Sequence, residues 1–265
     1  MDKSNDFALT GVLHLPPLPG SPMASQGFES VLHHALRDAE ALVNGGINSC
    51  IIENIGDAPF RRGSTDPHVT AMLAVIGREL RTRFADSLTV GINVLRNDAS
   101  AALGAAVACG ADFIRVNVLV GAAWTDQGLI QGDAANVTRY RKALCGAGKG
   151  PKIMADVKVK HAVPAGETDI SILAKETAQR GGADGLIVTG SRTGSPVDLQ
   201  ELTLVRGAVP NIPLWVGSGV TTDNISEIKG VSTGAIVGTW LHHDGDLLAP
   251  IDKDRVHLLV EAARS

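Results

Sequence analysis

The sequence predicts an α/β fold in which eight parallel strands, each followed by a helix, close into a barrel. Two observations carry this prediction. Eight short apolar segments alternate with helix-like stretches along the whole chain, and nearly every segment ends in a polar residue or a glycine. A (β/α)₈ barrel needs about 250 residues, and this chain has 265. We therefore expect one barrel domain over residues 1–265, with its site at the carboxyl ends of the strands.

Each predicted strand is a short apolar segment bounded by turn residues. The eight segments are residues 9–14, 49–53, 88–94, 112–118, 152–158, 185–189, 213–217 and 234–238. Between them, helix-like stretches repeat apolar residues at helical spacing and end at glycine or before proline. They cover residues 28–44, 67–84, 99–108, 134–144, 169–179 and 199–207. Asp66 and Pro67 supply an N-cap and a first-turn proline for the second of these helices.

The composition favours a cytoplasmic protein that does not bind nucleic acid. The net charge is −4 and no basic run is present, whereas binding to a phosphate backbone requires clustered Lys and Arg. The three cysteines show no CxxC spacing, which fits a reducing compartment. No segment reaches the roughly 20 apolar residues of a membrane span, so we expect no integral membrane segment. The composition is compatible with a homo-oligomer.

Strand alternation predicts a cluster of polar side chains at the mouth of the barrel. In the fifth predicted strand, Asp156 and Lys158 share the inward-facing parity. The same reasoning turns Arg115, Asn117 and Asn93 inward. It also places three further side chains near the upper rim: His14, Glu53 and Thr189. Charged groups inside a barrel are costly unless they are paired or functional. The alternative is a purely structural ion-pair network of Glu53, Arg115, Asp156 and Lys158.

Two glycine turns near the carboxyl end of the chain predict a phosphate site. Gly217, Ser218 and Gly219 end the seventh strand, and Gly238 and Thr239 end the eighth. Glycine lets an anion approach main-chain NH groups, and a helix start nearby favours negative charge. The loops after strands seven and eight are the usual phosphate site of such barrels. The alternative is that these glycines only form tight turns.

No dedicated metal or cofactor site is predicted. The sequence contains no HxH, HExxH or paired CxxC spacing, which are the patterns of metal-binding motifs. A Mg²⁺ ion that is bound together with a substrate phosphate needs few protein ligands. Four carboxylates could contribute to such a site: Glu53, Asp57, Asp126 and Asp156.

Long motifs throughout the chain resemble those of the BtpA family. They are GVLHLPPLPGSP at 11–22, IIENIGDAPF at 51–60, FIRVNVLVGAAWTDQGLIQGDAA at 113–135, IMADVKVKHA at 153–162, GADGLIVTGSRTG at 182–194 and VGSGVTTDNI at 216–225. The resemblance covers essentially the whole chain and implies a TIM barrel of the phosphate-binding type. The family is named for a protein implicated in photosystem I biogenesis or stability. One departure is Lys158, where the family often has His; the following Lys160 and His161 are retained, and we place them among the substrate-binding residues.

The predicted function is that of an enzyme acting on a phosphorylated small molecule, either a pentose phosphate or a nucleotide-like compound. It would cleave or isomerise this substrate as a lyase, an isomerase or a nucleosidase-like hydrolase. Asp156 is the candidate general base and Glu53 assists it. Lys158 is the candidate acid, carbonyl-polarising cation or imine-forming amine. The substrate-orienting residues would be His14, Asn93, Arg115, Asn117 and Thr189.

Two alternatives follow from the family resemblance. The first is a nucleosidase. The second belongs to a different class of protein, a non-catalytic assembly or stability factor of the photosystem I biogenesis type that keeps the barrel as a binding scaffold. A charged mouth with two phosphate turns favours an enzyme, whereas a large exposed apolar patch would favour the scaffold.

Overall fold

The structure confirms the predicted (β/α)₈ barrel. The computed structural model describes residues 7–148, 150–190 and 194–265. Its strands, numbered along the chain, are β1 (Ala8–His14), β2 (Ser49–Glu53), β3 (Thr89–Asn93), β4 (Phe113–Val116), β5 (Ala122–Thr125), β6 (Gly128–Gln131), β7 (Lys152–Asp156), β8 (Ala162–Pro164), β9 (Gly185–Thr189), β10 (Leu214–Gly217) and β11 (Gly234–Val237). The closed barrel has the order β1-β11-β10-β9-β7-β4-β3-β2, and all its pairings are parallel.

The helices lie between the barrel strands, as predicted. They are α1 (Phe28–Gly45), α2 (Pro67–Phe84), α3 (Ala99–Cys109), α4 (Ala134–Cys145), α5 (Ile170–Lys175), α6 (Leu199–Ala208), α7 (Ile225–Lys229) and α8 (Lys253–Arg264). A π-helical turn, Glu176–Arg180, continues α5, and single 3₁₀ turns occur at Ile55–Asp57, Ala85–Ser87, Thr239–Leu241 and His243–Gly245. Gly46 and Gly110 cap α1 and α3 with φ of 102° and 75°, the left-handed conformation that glycine adopts without strain. No helix in the described ranges is long and apolar enough to cross a membrane.

Apolar side chains fill the lower part of the barrel interior, and polar ones occupy its upper end. The inner cluster consists of Val12, Ile51, Phe113, Met154, Ile187 and Ile236, with Trp215 packed against it. Phe113 and Trp215 meet edge to face, with ring centroids 5.6 Å apart. Gly91 makes room for the Phe113 ring, because a Cβ there would lie 2.3 Å from its atoms. The parity that turns Phe113 and Met154 inward also turns Arg115 and Asp156 inward, two residues nearer the mouth.

A second, three-stranded sheet was not predicted from the sequence. β5 pairs antiparallel with both β6 and β8, so the small sheet joins the loop after β4 to the loop after β7. β5 and β6 are connected by a tight turn at Thr125, whose hydroxyl donates to the carbonyl oxygen of Gly128, with Gly128 at φ 92°. One face of this sheet packs through Ala123 and Ile130 on Val118 and Val159, which lie in the loops after β4 and β7. Its strands are only three or four residues long, too short for periodicity to reveal.

Candidate active site

The carboxyl ends of the barrel strands meet around a cavity of about 280 Å³. His14, Glu53 and Arg115 line it from β1, β2 and β4, and Lys160 lines it from the loop after β7. The turns after β10 and β11 complete its wall. The structure therefore brings together residues from six positions that lie far apart in the sequence. Its size is close to the lower end of pockets that bind small molecules.

Arg115 and Asp156 form a buried ion pair on one side of the mouth. Arg115 Nε donates to Asp156 Oδ1 and Arg115 Nη2 donates to Asp156 Oδ2, both at 3.0 Å. Asn117 Nδ2 donates to the same Oδ2, also at 3.0 Å, and Asn93 Nδ2 donates to Asn117 Oδ1 at 3.1 Å. The Asp156 carboxylate is fully buried. Its two oxygens are thus engaged in holding the Arg115 guanidinium, as in other bidentate pairs.

Glu53 is the buried carboxylate of the cavity wall, which also includes the exposed Asp244. Its Oε2 lies 4.0 Å from Arg115 Nη1, and both side chains are buried. Burial alone would lower the pKa of Arg115, but the charges of Asp156 and Glu53 outweigh burial and raise that pKa. Arg115 is therefore a permanent cation shared between two carboxylates, of which only Glu53 lines the cavity.

Lys160 and Arg96 add two further cations near Glu53. Burial lowers the pKa of Lys160; the Glu53 carboxylate opposes this and the Arg115 guanidinium adds to it. Arg96 is buried and its Nη2 donates to the carbonyl oxygen of Lys160 at 2.9 Å, which fixes the loop that carries this lysine. Burial also lowers the pKa of Arg96. Arg96 was not predicted as a site residue, because it follows β3 in a loop where strand alternation no longer applies.

Lys158 is not on the wall of this cavity, but it lines a neighbouring cavity of about 620 Å³ together with Asn117, Asp156 and Thr189. β7 ends at Asp156, so the parity of the strand does not continue to residue 158. Lys158 Nζ instead lies 2.7 Å from Oε1 of Glu201 on α6, outside the cavity that Glu53 and Arg115 line. Thr189 lies near it and donates its hydroxyl to the carbonyl oxygen of Lys158 at 3.0 Å. His161 is exposed and has φ 55°, so the structure places neither Thr189 nor His161 on the wall of that cavity.

The two predicted phosphate turns lie side by side, because β10 and β11 are neighbours in the barrel. The five residues concerned all line the cavity: Gly217, Ser218, Gly219, Gly238 and Thr239. Ser218 has φ 115°, a conformation that is unfavourable for a residue with a Cβ. Such strain concentrates at ligand-binding sites. Phosphate binding by these turns stays a prediction.

Packing also accounts for two of these glycines. A Cβ on Gly219 would lie 2.4 Å from the carbonyl oxygen of Ser195, and a Cβ on Gly238 would lie 2.6 Å from Cε1 of His14. Both contacts are shorter than van der Waals distance, so a side chain at either position would displace its neighbour. Gly219 and Gly238 are therefore required by packing whether or not an anion binds. A substitution that tests phosphate binding must be made at a residue other than these glycines.

Arg255 is a cation of the cavity wall that was not predicted from the sequence. It lies in the first turn of α8, where the side chain of Asp252 caps the helix and accepts from Arg255 N at 3.3 Å. Arg255 Nε donates to the carbonyl oxygen of Trp240 at 2.6 Å, and the guanidinium lies 4.9 Å from the centre of the Trp240 ring. Both residues line the cavity beside Gly238 and Thr239. The cation is thus held next to the turns that are predicted to bind phosphate.

His14 is bonded to a second buried histidine at the edge of the cavity. Its Nδ1 lies 3.0 Å from Nε2 of His242, whose own Nδ1 lies 2.7 Å from the carbonyl oxygen of Ala249. Burial lowers the pKa of His14 well below 6.5, and the positive charges of His242, Lys160 and Arg115 lower it further. Burial also lowers the pKa of His242, against the opposing hydrogen bond to Ala249. Both rings are therefore neutral at pH 7.

The carboxylates considered for Mg²⁺ do not converge. Asp57 accepts from Leu18 N at 2.8 Å and from Asn54 Nδ2 at 3.0 Å, and burial raises its pKa. Asp126 lies in the turn between β5 and β6, bonded to Gln127. Within the described ranges, no group of three or more His, Cys, Asp or Glu side chains is arranged to hold a metal ion.

Two solved structures of other proteins show the same fold class. An N-(5'-phosphoribosyl)anthranilate isomerase from Pyrococcus furiosus superposes with a TM-score of 0.57 at 14% identity, covering 97% of this chain and 98% of its own. An orotidine 5'-phosphate decarboxylase from Pyrococcus horikoshii OT3 superposes with a TM-score of 0.57 at 14% identity, covering 97% and 99%. At this identity the likeness establishes the TIM-barrel fold.

The chain belongs to the BtpA family, whose model matches residues 5–265. It is 42% identical to the photosystem I biogenesis protein BtpA of Synechocystis over 252 residues, covering 95% of this chain and 86% of that protein. The family resemblance inferred from the sequence motifs is thereby confirmed.

Proposed function

We propose that this protein is an enzyme that acts on a small phosphorylated molecule bound in the mouth of the barrel. One observation supports the proposal: a single cavity of about 280 Å³ is lined both by the turns after β10 and β11 and by Glu53, Arg115 and Lys160. A phosphoryl group held at the turns would place the rest of a small ligand against these charged groups. The two solved structures compared above, whose names specify phosphorylated compounds, support a phosphorylated ligand as the general class.

The phosphoryl group would be held by main-chain NH groups of the turns and by the guanidinium of Arg255. Glycine turns permit close approach of an anion to the main chain, and arginine matches the geometry of phosphate oxygens. Because the Arg255 guanidinium is already stacked on the Trp240 ring, its side chain loses little conformational entropy when it binds a phosphoryl group. The site therefore pairs a preorganised cation with a preorganised turn, and it requires no metal ion in the steps proposed here.

The reacting part of the ligand would lie against Glu53, Arg115 and Lys160. We assign proton transfer to Glu53, because it is the buried carboxylate of the cavity wall and lies beside Arg115, whereas Asp244, the other carboxylate of the wall, is exposed. Asp156, which the sequence suggested as the base, has both oxygens engaged by Arg115 and Asn117, so we assign it the positioning of Arg115. Lys160 takes the role of imine-forming amine first given to Lys158, since burial lowers its pKa and favours the neutral amine. Cleavage and isomerisation are both compatible with these groups.

The phosphate part of the proposal is tested by stabilisation of the folded protein in the presence of ligands. Ribose 5-phosphate, nucleoside 5'-monophosphates and their dephosphorylated counterparts should be compared by thermal unfolding. A ligand at 100 times its Kd stabilises by about 2.7 kcal/mol. We expect stabilisation by phosphorylated compounds, its loss in Arg255→Gln, and partial retention in Arg255→Lys. Arg264→Gln is the matched control, because Arg264 lies on the same helix and is exposed.

Catalysis is tested at Glu53 once a stabilising ligand identifies a substrate. Glu53→Gln should lower turnover by roughly two to four powers of ten, the contribution of a positioned acid or base, with ligand affinity largely preserved. Equal stabilisation by phosphorylated and dephosphorylated compounds would refute the phosphate site. Nucleosides that bind as tightly as nucleotides would instead favour the nucleosidase alternative.

A role in assembling a photosynthetic complex is the second candidate. It is supported by the name of the Synechocystis relative and by two exposed apolar side chains that pair across the small sheet, Trp124 and Val163, which are 57% and 65% exposed. Complementation of a Synechocystis strain that lacks its BtpA separates the two candidates. If the wild-type chain restores photosystem I, the enzyme proposal expects Glu53→Gln to fail and Trp124→Ser to succeed, whereas the assembly role expects the reverse.

A further inference from the structure

The hydrogen bonds of His242 fix which nitrogen of its ring carries the proton. The Ala249 carbonyl oxygen can only accept, so His242 Nδ1, 2.7 Å away, must be the donor. A neutral imidazole has one N–H, and its other nitrogen is then an acceptor. His242 is completely buried, a setting that favours the neutral ring. Its Nε2 therefore presents a lone pair to His14.

The hydrogen bond between His242 and His14 also fixes which nitrogen of the His14 ring carries the proton. His242 Nε2 lies 3.0 Å from His14 Nδ1, so His14 Nδ1 must donate. The neutral His14 ring then has no proton on Nε2. This arrangement, in which the neighbour of one ring nitrogen decides the state of the other, is a general device for setting the role of a histidine.

The free nitrogen of His14 faces the ligand cavity. His14 lines the cavity, and its Nε2 edge packs on Gly238, where a Cβ would lie 3.1 Å from Nε2. Gly238 belongs to the turn predicted to hold the phosphoryl group. A lone pair at this position accepts a hydrogen bond and repels an unprotonated phosphate oxygen.

We propose that His242 is a positioning residue that holds His14 in the Nδ1–H tautomer, so that His14 Nε2 accepts a hydrogen bond from a ligand hydroxyl next to the phosphoryl group. The inference rests on the proposed function only in taking this cavity as the ligand site; the tautomer follows from the protein alone. It narrows the substrate class to phosphorylated compounds that carry a hydroxyl close to the phosphorylated carbon.

The surrounding charges keep His14 in this role. Lys160 and Arg115 face it from the mouth, and His34 on α1 lies on the other side; their positive charges all oppose a proton on His14. Around His242, Asp38 and Asp246 favour a proton and His34 opposes it. Because both rings are neutral, His14 accepts a hydrogen bond from a ligand hydroxyl. It thereby distinguishes ligands that carry this hydroxyl from ligands that lack it.

The tautomer can be read directly by NMR of protein labelled with ¹⁵N-histidine, without any ligand. At pH 7 we expect the His14 signals to show a protonated Nδ1 and an unprotonated Nε2. His242→Gln should preserve this state, because the amide oxygen can accept from His14 and the amide NH₂ can donate to Ala249. His242→Phe should abolish it. His243→Phe, at the exposed neighbouring position, is the matched control.

The specificity is tested with two small probes of similar size, glycerol 3-phosphate and propyl phosphate. A hydrogen bond contributes about 0.5–1.5 kcal/mol, so the wild type and His242→Gln should bind glycerol 3-phosphate roughly 2- to 10-fold more tightly. In His242→Phe, His14 Nε2 can carry a proton and donate to a phosphate oxygen, which both probes possess, so the ratio should fall towards one. A protonated Nε2 on His14 in the wild type would overturn the inference, as would equal binding of the two probes. Binding of neither probe would refute the proposed phosphate site and leave the NMR result to decide the tautomer.

Discussion

Asp156→Asn should destabilise the protein strongly, because it removes the charge that balances a buried guanidinium. The Asp156 carboxylate accepts three hydrogen bonds at 3.0 Å, and the Arg115 side chain is only 4% exposed. Breaking a buried pair by removing one partner costs about 3–5 kcal/mol. With roughly 2–4 °C lost per kcal/mol in a domain of this size, the Tm should fall by roughly 6–20 °C. Glu53, 4.0 Å from Arg115, offsets part of the loss.

Urea unfolding and calorimetry would measure this cost against a matched exposed pair. Arg83 and Glu40 are bonded at 2.9 Å, and their side chains are 47% and 49% exposed. Glu40→Gln should cost at most about 1 kcal/mol, the upper range for exposed pairs. Replacing both Arg115 by Met and Asp156 by Leu should cost less than Asp156→Asn alone, since no unpaired charge remains. If Asp156→Asn cost no more than Glu40→Gln, the pair would not be the buried electrostatic unit described above.

Two other properties follow from buried titratable groups. Because burial keeps the pKa of His14 below its ordinary value of 6.5, the unfolded chain binds more protons than the folded one. The free energy of unfolding is therefore fully retained above pH 6.5 and lost as the pH falls below it; His14→Gln should remove up to about 1.4 kcal/mol per pH unit of this slope in urea titrations. An unchanged slope would contradict a neutral buried ring. Burial raises the pKa of the Cys50 thiol to about 12, so iodoacetamide should label Cys50 only after unfolding, whereas the partly exposed Cys145 should react in the folded protein. Mass spectrometry of the digest decides this, and equal labelling rates would argue against it.

The barrel strands could be predicted because each is a mainly apolar segment in which most residues are buried. β2 and β9 have the predicted bounds, since the polar residue or glycine that ends a barrel strand is visible in the sequence. Alternation then placed Arg115 and Asp156 correctly at the mouth. It did not place Lys158 beside Glu53, because a parity rule applies only while the chain stays extended, and β7 had already ended.

The remaining site residues depend on loop paths that local sequence does not encode. Arg255 reaches the cavity because a loop after β11 returns α8 to the barrel wall, and Arg96, from a turn after β3, bonds to the carbonyl oxygen of Lys160. His242 and His243 are adjacent in sequence, yet the first is fully buried and the second is exposed. The chain leaves a 3₁₀ turn at Leu241, and this change of backbone direction buries His242 and exposes His243. Their roles follow only from tertiary packing.

The small sheet determines how a ligand can reach the cavity. Lys160 stands two residues before β8, and main-chain bonds from β8 to β5, extended by Ala165 N to Ala122 O at 2.9 Å, tie its loop to the neighbouring one. Opening either loop alone would break this ladder. Entry and release that leave this ladder intact use the opposite side of the mouth, where the segments after β1, β2 and β11 meet. Exchange rates should respond to changes there and not to changes in the tied loops.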